Sequence, residues 1–259
     1  MIENLEPRRL FDVTYVNGVL TYLGTAAQDH IEAFQNTTHL VVTNNGVTSH
    51  HKLAGLRQFN VEGGDGADTI IVSSRTVTIP VQLSGGRGSD TLSAALGNDT
   101  IFGGPGDDYM FGGEGNDLLD GNSGSDDFLG GNGARDLATY FARVNPVTVG
   151  LGNFADDGEA GEGDNVRTDI EMVYGGSGND TLSTTSGKAV RLFGFEGNDT
   201  LIGSLSGDLL EGGRGNDSMV GNGGDDYFVA VDGAADILNG GSGNDTAESE
   251  DIDTLIEIP

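Results

Sequence analysis

The sequence predicts an all-β fold, a parallel β-solenoid of nonapeptide repeats entered through a β-rich N-terminal region. Three observations predict it. First, a nine-residue phrase keeps returning. It reads G-G-x-G-x-D-x-U-x, with U a large apolar residue: GGRGSDTLS at Gly85, GGPGDDYMF at Gly103, GGEGNDLLD at Gly112, GGSGNDTLS at Gly175, GGRGNDSMV at Gly212 and GGSGNDTAE at Gly240. A short fixed period of this kind marks coils stacked along one axis. Second, no segment carries a 3.6-residue apolar period, so almost no helix is expected. Third, 45 glycines and an apolar content of 36% in 259 residues leave too little apolar surface for an ordinary globular core.

Residues 1–84 form the first region. Short β-favouring runs dominate it: Leu10 to Val16, Val19 to Leu23, Leu40 to Thr43 and Thr76 to Leu83. Asn17-Gly18 and Asn44 to Gly46 read as turns between them. Degenerate repeats are already visible here. GTAAQDHIE from Gly24 keeps Asp29 and the apolar Ile31, and GGDGADTII from Gly63 is a full match carrying Asp68.

Residues 85–138 are the first uninterrupted array, with repeats starting at Gly85, Ala94, Gly103, Gly112, Gly121 and Gly130. The last has Arg135 where the period wants Asp, which reads as the array closing. Residues 139–174 break the period with an alternating run (Val147, Val149, Leu151) and an acidic loop. Residues 175–248 are the second array, with one over-long repeat near Thr184 and one extra residue near Ala230. Residues 249–259 are an acidic, aliphatic tail.

Each nonapeptide divides into a six-residue turn and a three-residue strand. The strand is too short to stand alone, so its U side chain must pack on the same position of neighbouring coils. That places Leu92, Ile101, Met110, Leu119, Phe128, Leu201, Leu210, Met219, Phe228 and Leu238 in one thin internal column. Two nonapeptides make one coil, so turns on one edge are 18 residues apart in sequence and about 4.8 Å apart in space. The spacing stacks Asp90 with Asp108, Asp99 with Asp117, Asp108 with Asp126, Asp199 with Asp217 and Asp208 with Asp226. Asp217 with Asp236, and Asp226 with Asp245, follow at 19.

Two unit charges about 4.8 Å apart repel by about 3.5 kcal/mol at an effective dielectric of about 20. Several such pairs exceed the margin by which domains are stable. A Ca²⁺ between turns reverses the sign, because it accepts six to eight oxygens in flexible geometry. Mg²⁺ demands a tighter octahedron, and zinc wants nitrogen or sulfur ligands that the repeats lack. The formal net charge of −29 points the same way. It invites divalent cations and disfavours nucleic acid and anionic membranes.

These repeats resemble the RTX, or haemolysin-type calcium-binding, family of secreted bacterial proteins. The resemblance implies a right-handed parallel β-roll that holds several Ca²⁺ ions between its turns, is disordered at low calcium and folds outside the cell. It implies ligand status for Asp90, Asp99, Asp108, Asp117, Asp126, Asp180, Asp199, Asp208, Asp217, Asp226, Asp236 and Asp245, and Asp68 fills the same slot. LEPRRL at Leu5 to Leu10 is similar to the LEPR-type N-terminal motif of large bacterial surface and secreted proteins.

The insert adds a separate candidate calcium site at Asp156, Asp157, Glu159, Glu162 and Asp164, whose spacing does not fit an EF-hand loop. No cysteine is present, which excludes disulfides and thiolate metal sites. No stretch reaches the length of a membrane helix, and the first sixteen residues lack the apolar core of a cleavable signal peptide. No zinc-protease motif, nucleophile elbow or phosphate loop appears. A catalytic carboxylate pair would be unique, whereas these recur at every coil. The expected reading is an extracellular, calcium-binding structural or adhesive protein with no reaction of its own, whose partners beyond calcium are a cell-surface glycan or protein. The alternative is a non-catalytic remnant or part of a secreted RTX enzyme of the hydrolase or protease class.

Overall fold

The computed structural model describes residues 12–73 and 76–258, so the motif at Leu5 to Leu10 lies outside the described residues. Every regular element among them is a strand. One face of the solenoid is a twelve-stranded sheet running from Asp12–Val16 to Thr246–Ser249, parallel except for its first pair. The opposite face carries an eight-stranded and a seven-stranded sheet.

The chain alternates between the faces, one short strand at a time. Register follows the period. Ile101 pairs with Leu83 on one side and Leu119 on the other, and Met110 pairs with Leu92 and Phe128. In the second array Leu201, Met219 and Leu238 stack in the same way. All ten residues expected in the internal column are fully buried. Their burial removes apolar surface from water along the whole axis, which is the main attraction between coils.

The N-terminal strands lie on the same two faces. Val19–Leu23 pairs in parallel with Gln58–Asp65, and that strand with Val81–Arg87. Asn17-Gly18 and Asn45-Gly46 both adopt left-handed backbone and close two antiparallel hairpins, as the sequence predicts. The run Thr76 to Leu83 is shorter than expected. Its strand begins only at Val81, after Pro80, which has no N–H to give a ladder.

The insert does not interrupt the stack. Val147–Leu151 pairs with Thr181–Thr184, one coil further along the axis. The chain then turns back, and Asn165–Val166 pairs with Asp127–Asn132 behind it. The amide of Gly152 donates to the carbonyl of Val166 and joins the two pieces. The insert thus supplies two rungs of the opposite face in reversed spatial order.

Candidate calcium ladders

The expected six-residue turn is shorter in many repeats, because the strand runs on into the first three residues, as in Thr100–Pro105 and Tyr109–Glu114; the aspartates that end the turns line the two edges of the solenoid. All thirteen ladder aspartates expected from the sequence are buried, none more than 4% exposed. One carboxylate oxygen of each has a fixed role. The backbone N–H of Asp90 donates to Oδ1 of Asp108 at 2.7 Å, and that of Asp108 to Oδ1 of Asp126 at 2.8 Å. The same bond joins Asp99 to Asp117, Asp199 to Asp217, Asp208 to Asp226, Asp217 to Asp236 and Asp226 to Asp245. The stacking pairs read from the spacing are therefore adjacent in space.

The ladders run further than the sequence suggested. One edge begins at Asp29, passes through Asp68 to Asp126, and continues to Asp164 of the insert. Asp253 of the tail extends the second run on that edge by accepting from Asp236 N–H. On the other edge Asp117 donates to Asp136. This corrects the reading of Arg135. The repeat at Gly130 is one residue longer, and Asp136 fills the slot that a strict nine-residue count assigned to Arg135. Leu137 and Ala138 then resume the strand.

The second carboxylate oxygen is the chemically telling one. In eleven aspartates among the described residues, Oδ2 is buried and has no hydrogen-bond partner: Asp68, Asp90, Asp108, Asp117, Asp126, Asp136, Asp199, Asp217, Asp226, Asp236 and Asp245. A buried carboxylate oxygen without a donor is costly, so each such oxygen calls for a cation or a proton. Backbone oxygens gather at the same places. A methyl group placed on Gly85 would meet Asp90 Oδ2 and, 2.7 Å away, the carbonyl oxygen of Gly103 in the next coil. The same cradle recurs at Gly103 with Asp108 Oδ2 and the Gly121 carbonyl.

Among the described residues, no three acidic or imidazole side chains converge on one point. The donors are instead carboxylates mixed with backbone carbonyls, an all-oxygen set that suits Ca²⁺ and not zinc. The residues present therefore fit calcium.

Without a cation these carboxyls hold protons more tightly than usual. Burial, reinforced by neighbouring carboxylates, pushes Asp126 up to about 8 and Asp108, Asp117 and Asp199 up to about 7, despite the amide bonds that favour their charged forms. Asp68, Asp136, Asp217 and Asp226 rise to about 6 for the same reason.

The insert is arranged differently from the expected five-carboxylate site. Asp156 is exposed. Asp157 accepts from the amides of Gly150 and Val166 at 2.6 and 2.8 Å. Glu159 and Glu162 both pair with Arg143, at 3.4 and 3.0 Å. Asp164 accepts from Asp126 N–H at 2.8 Å and from the Tyr140 hydroxyl at 3.0 Å. The structure does not bring these five acids to one point.

A comparison with protein-family models matches the description RTX calcium-binding nonapeptide repeat, in four copies, over residues 84–119, 102–137, 169–188, 191–230 and 231–248, together just over half of the chain. No curated protein matches the chain. With repeats, register and oxygen-lined edges in agreement, Ca²⁺ is its cofactor, in several copies, and the chain belongs to the RTX calcium-binding repeat family.

Proposed function

We propose that this chain is an extracellular structural and adhesive β-roll that folds on meeting Ca²⁺ outside the cell. One observation carries the reading: eleven buried carboxylate oxygens without a donor, stacked along the edges of a solenoid with a thin core. A chain of net charge −29 cannot hold such edges together unneutralised. Ion binding is then folding free energy. Extracellular fluid is rich in calcium and cytosol is poor in it, so the same chain stays extended inside the cell and orders after export.

The adhesive role rests on the surface of the twelve-stranded face. Phe141, Tyr174, Phe193 and Phe195 pack edge to face there, with ring centroids 4.9–5.1 Å apart. Phe141 is 61% exposed. With Arg214 and Glu211, Phe141, Phe193 and Phe195 line an open groove of about 670 Å³. One exposed ring and its half-buried neighbours, beside hydrogen-bonding charges, suit a cell-surface glycan or protein. We assign the roll no reaction of its own.

Circular dichroism during calcium titration of the metal-free protein tests the folding claim. A coil-to-β transition with calcium, and none with equimolar magnesium, is expected. A β spectrum that is already complete without metal would refute coupled folding.

A further inference from the structure

An aspartate in the repeat slot does not by itself leave a ligand oxygen. In four turns the aspartate's Oδ2 is already taken by the backbone N–H of the residue four before it. Thr25 donates to Asp29 and Gly176 to Asp180, each at 2.6 Å; Ala95 donates to Asp99 at 3.0 Å, and Ser204 to Asp208. Those donors are the second residues of their turns, and none of them has a left-handed backbone. In the turns whose Oδ2 is unpartnered, the second residue is left-handed: Gly86 at φ +106°, Asn122 at +70°, Phe195 at +79°, Asn222 at +73°. Its N–H then makes no bond to the aspartate. The turn before Asp236, which is longer, has its left-handed residue at Gly233 instead.

Residue type does not decide the matter, because Gly176 is not left-handed and Phe195 is. Position in the stack does. Each left-handed glycine at the second position lies against the carbonyl of the equivalent residue in the coil before it, as Gly86 does on Gly64 and Gly113 on Ala95. The four capped turns have no repeat turn before them. Asp29 opens its edge, and Asp99, Asp180 and Asp208 follow Val81, Val147 and Val190, whose amides they accept. Where the preceding segment is not a repeat turn, the second residue avoids left-handed backbone and folds its own N–H onto its aspartate, even at Gly176, which lies against the Arg143 carbonyl.

We infer that each run of stacked turns binds ions only above its first turn, so that Asp29, Asp99, Asp180 and Asp208 serve as metal-free end caps. The insert rung is metal-free as well. There Tyr140 and backbone amides satisfy Asp164 and Asp157, and the Arg143 guanidinium stands between Glu159 and Glu162 as the positive charge. The inference rests on the calcium-roll reading and adds which rungs are loaded, one ion per unpartnered Oδ2.

Native mass spectrometry of the full chain in a calcium series tests it. Wild type is expected to plateau at eleven ions. Asp99→Asn and Asp180→Asn should keep that plateau, while Asp117→Asn and Asp217→Asn should each lose at least one ion. A plateau above eleven in wild type, or an ion lost by Asp99→Asn or Asp180→Asn, would overturn the inference and leave calcium binding intact. A wild-type chain with no bound calcium would overturn both. Because the wild-type plateau decides alone, a variant that fails to fold does not blunt the test.

Discussion

Gly215→Ala should nearly abolish calcium-driven folding of the second array. Gly215 is the fourth residue of the turn that ends at Asp217 and has φ +133°, a region almost closed to residues with a side chain. The space is closed as well. A methyl group there would fall inside the carbonyl oxygen of Gly197 in the preceding coil. That obstacle is backbone, itself held by the bond from Gly197 N–H to the Arg214 carbonyl. Relief requires the two coils to separate, which breaks the Asp199–Asp217 step of the ladder. The combined strain and lost packing should cost about 4 kcal/mol, at the upper end for single substitutions. The calcium midpoint of folding, followed by circular dichroism, should rise at least tenfold. Gly187→Ala is the control, since Gly187 has ordinary backbone and no atom within 4 Å of the added carbon. Equal midpoints for Gly215→Ala and wild type would show that the close approach of coils is not needed.

In calcium-free buffer the protein should gain order as it is acidified. The buried carboxyls of Asp108, Asp117, Asp126 and Asp199 hold protons up to about 7 or 8 in the fold, against 3.8 for an ordinary aspartate. A group whose folded value is raised binds more protons folded than unfolded. Its contribution is fully present below the unfolded value and is lost as pH rises through the folded value. Metal-free protein should therefore show growing β signal from pH 8.5 down to about 5, where protons stand in for cations. Calcium competes for the same oxygens, so its apparent affinity should fall over that range. Adding calcium near pH 6.5 should release protons measurable by pH-stat. Order that declines steadily on acidification of metal-free protein would contradict the burial of unpartnered carboxyls.

Period, register and core were legible in the sequence because each depends on spacing alone. A nine-residue phrase with an apolar residue two places after its Asp fixes which side chains point inward. Two phrases per coil fix which aspartates are neighbours. What spacing does not encode depends on the coil beneath. Asp136 was hidden by one added residue, which the turn absorbs without losing the ladder bond to Asp117. Asp164 was hidden because the insert runs forward to Val147–Leu151 and then back to Asn165–Val166, an order that no linear period encodes. Asp253 sits in a tail without glycines, and only Leu255 two places on hinted at the repeat. The capping of Asp99, Asp180 and Asp208 was invisible for a deeper reason. Their turns contain the expected aspartate, and the carboxylate's environment is set by whether a repeat turn precedes it in the stack.

Buried, unpartnered carboxylate oxygens are tolerated because calcium ions lie between successive turns. Long-wavelength anomalous diffraction from crystals grown in calcium would locate those ions. Peaks should appear within calcium–oxygen bonding distance of Oδ2 in Asp90, Asp108, Asp117, Asp199, Asp217 and Asp226. An intact solenoid whose edges gave no anomalous signal at those oxygens would mean that something other than calcium neutralises them.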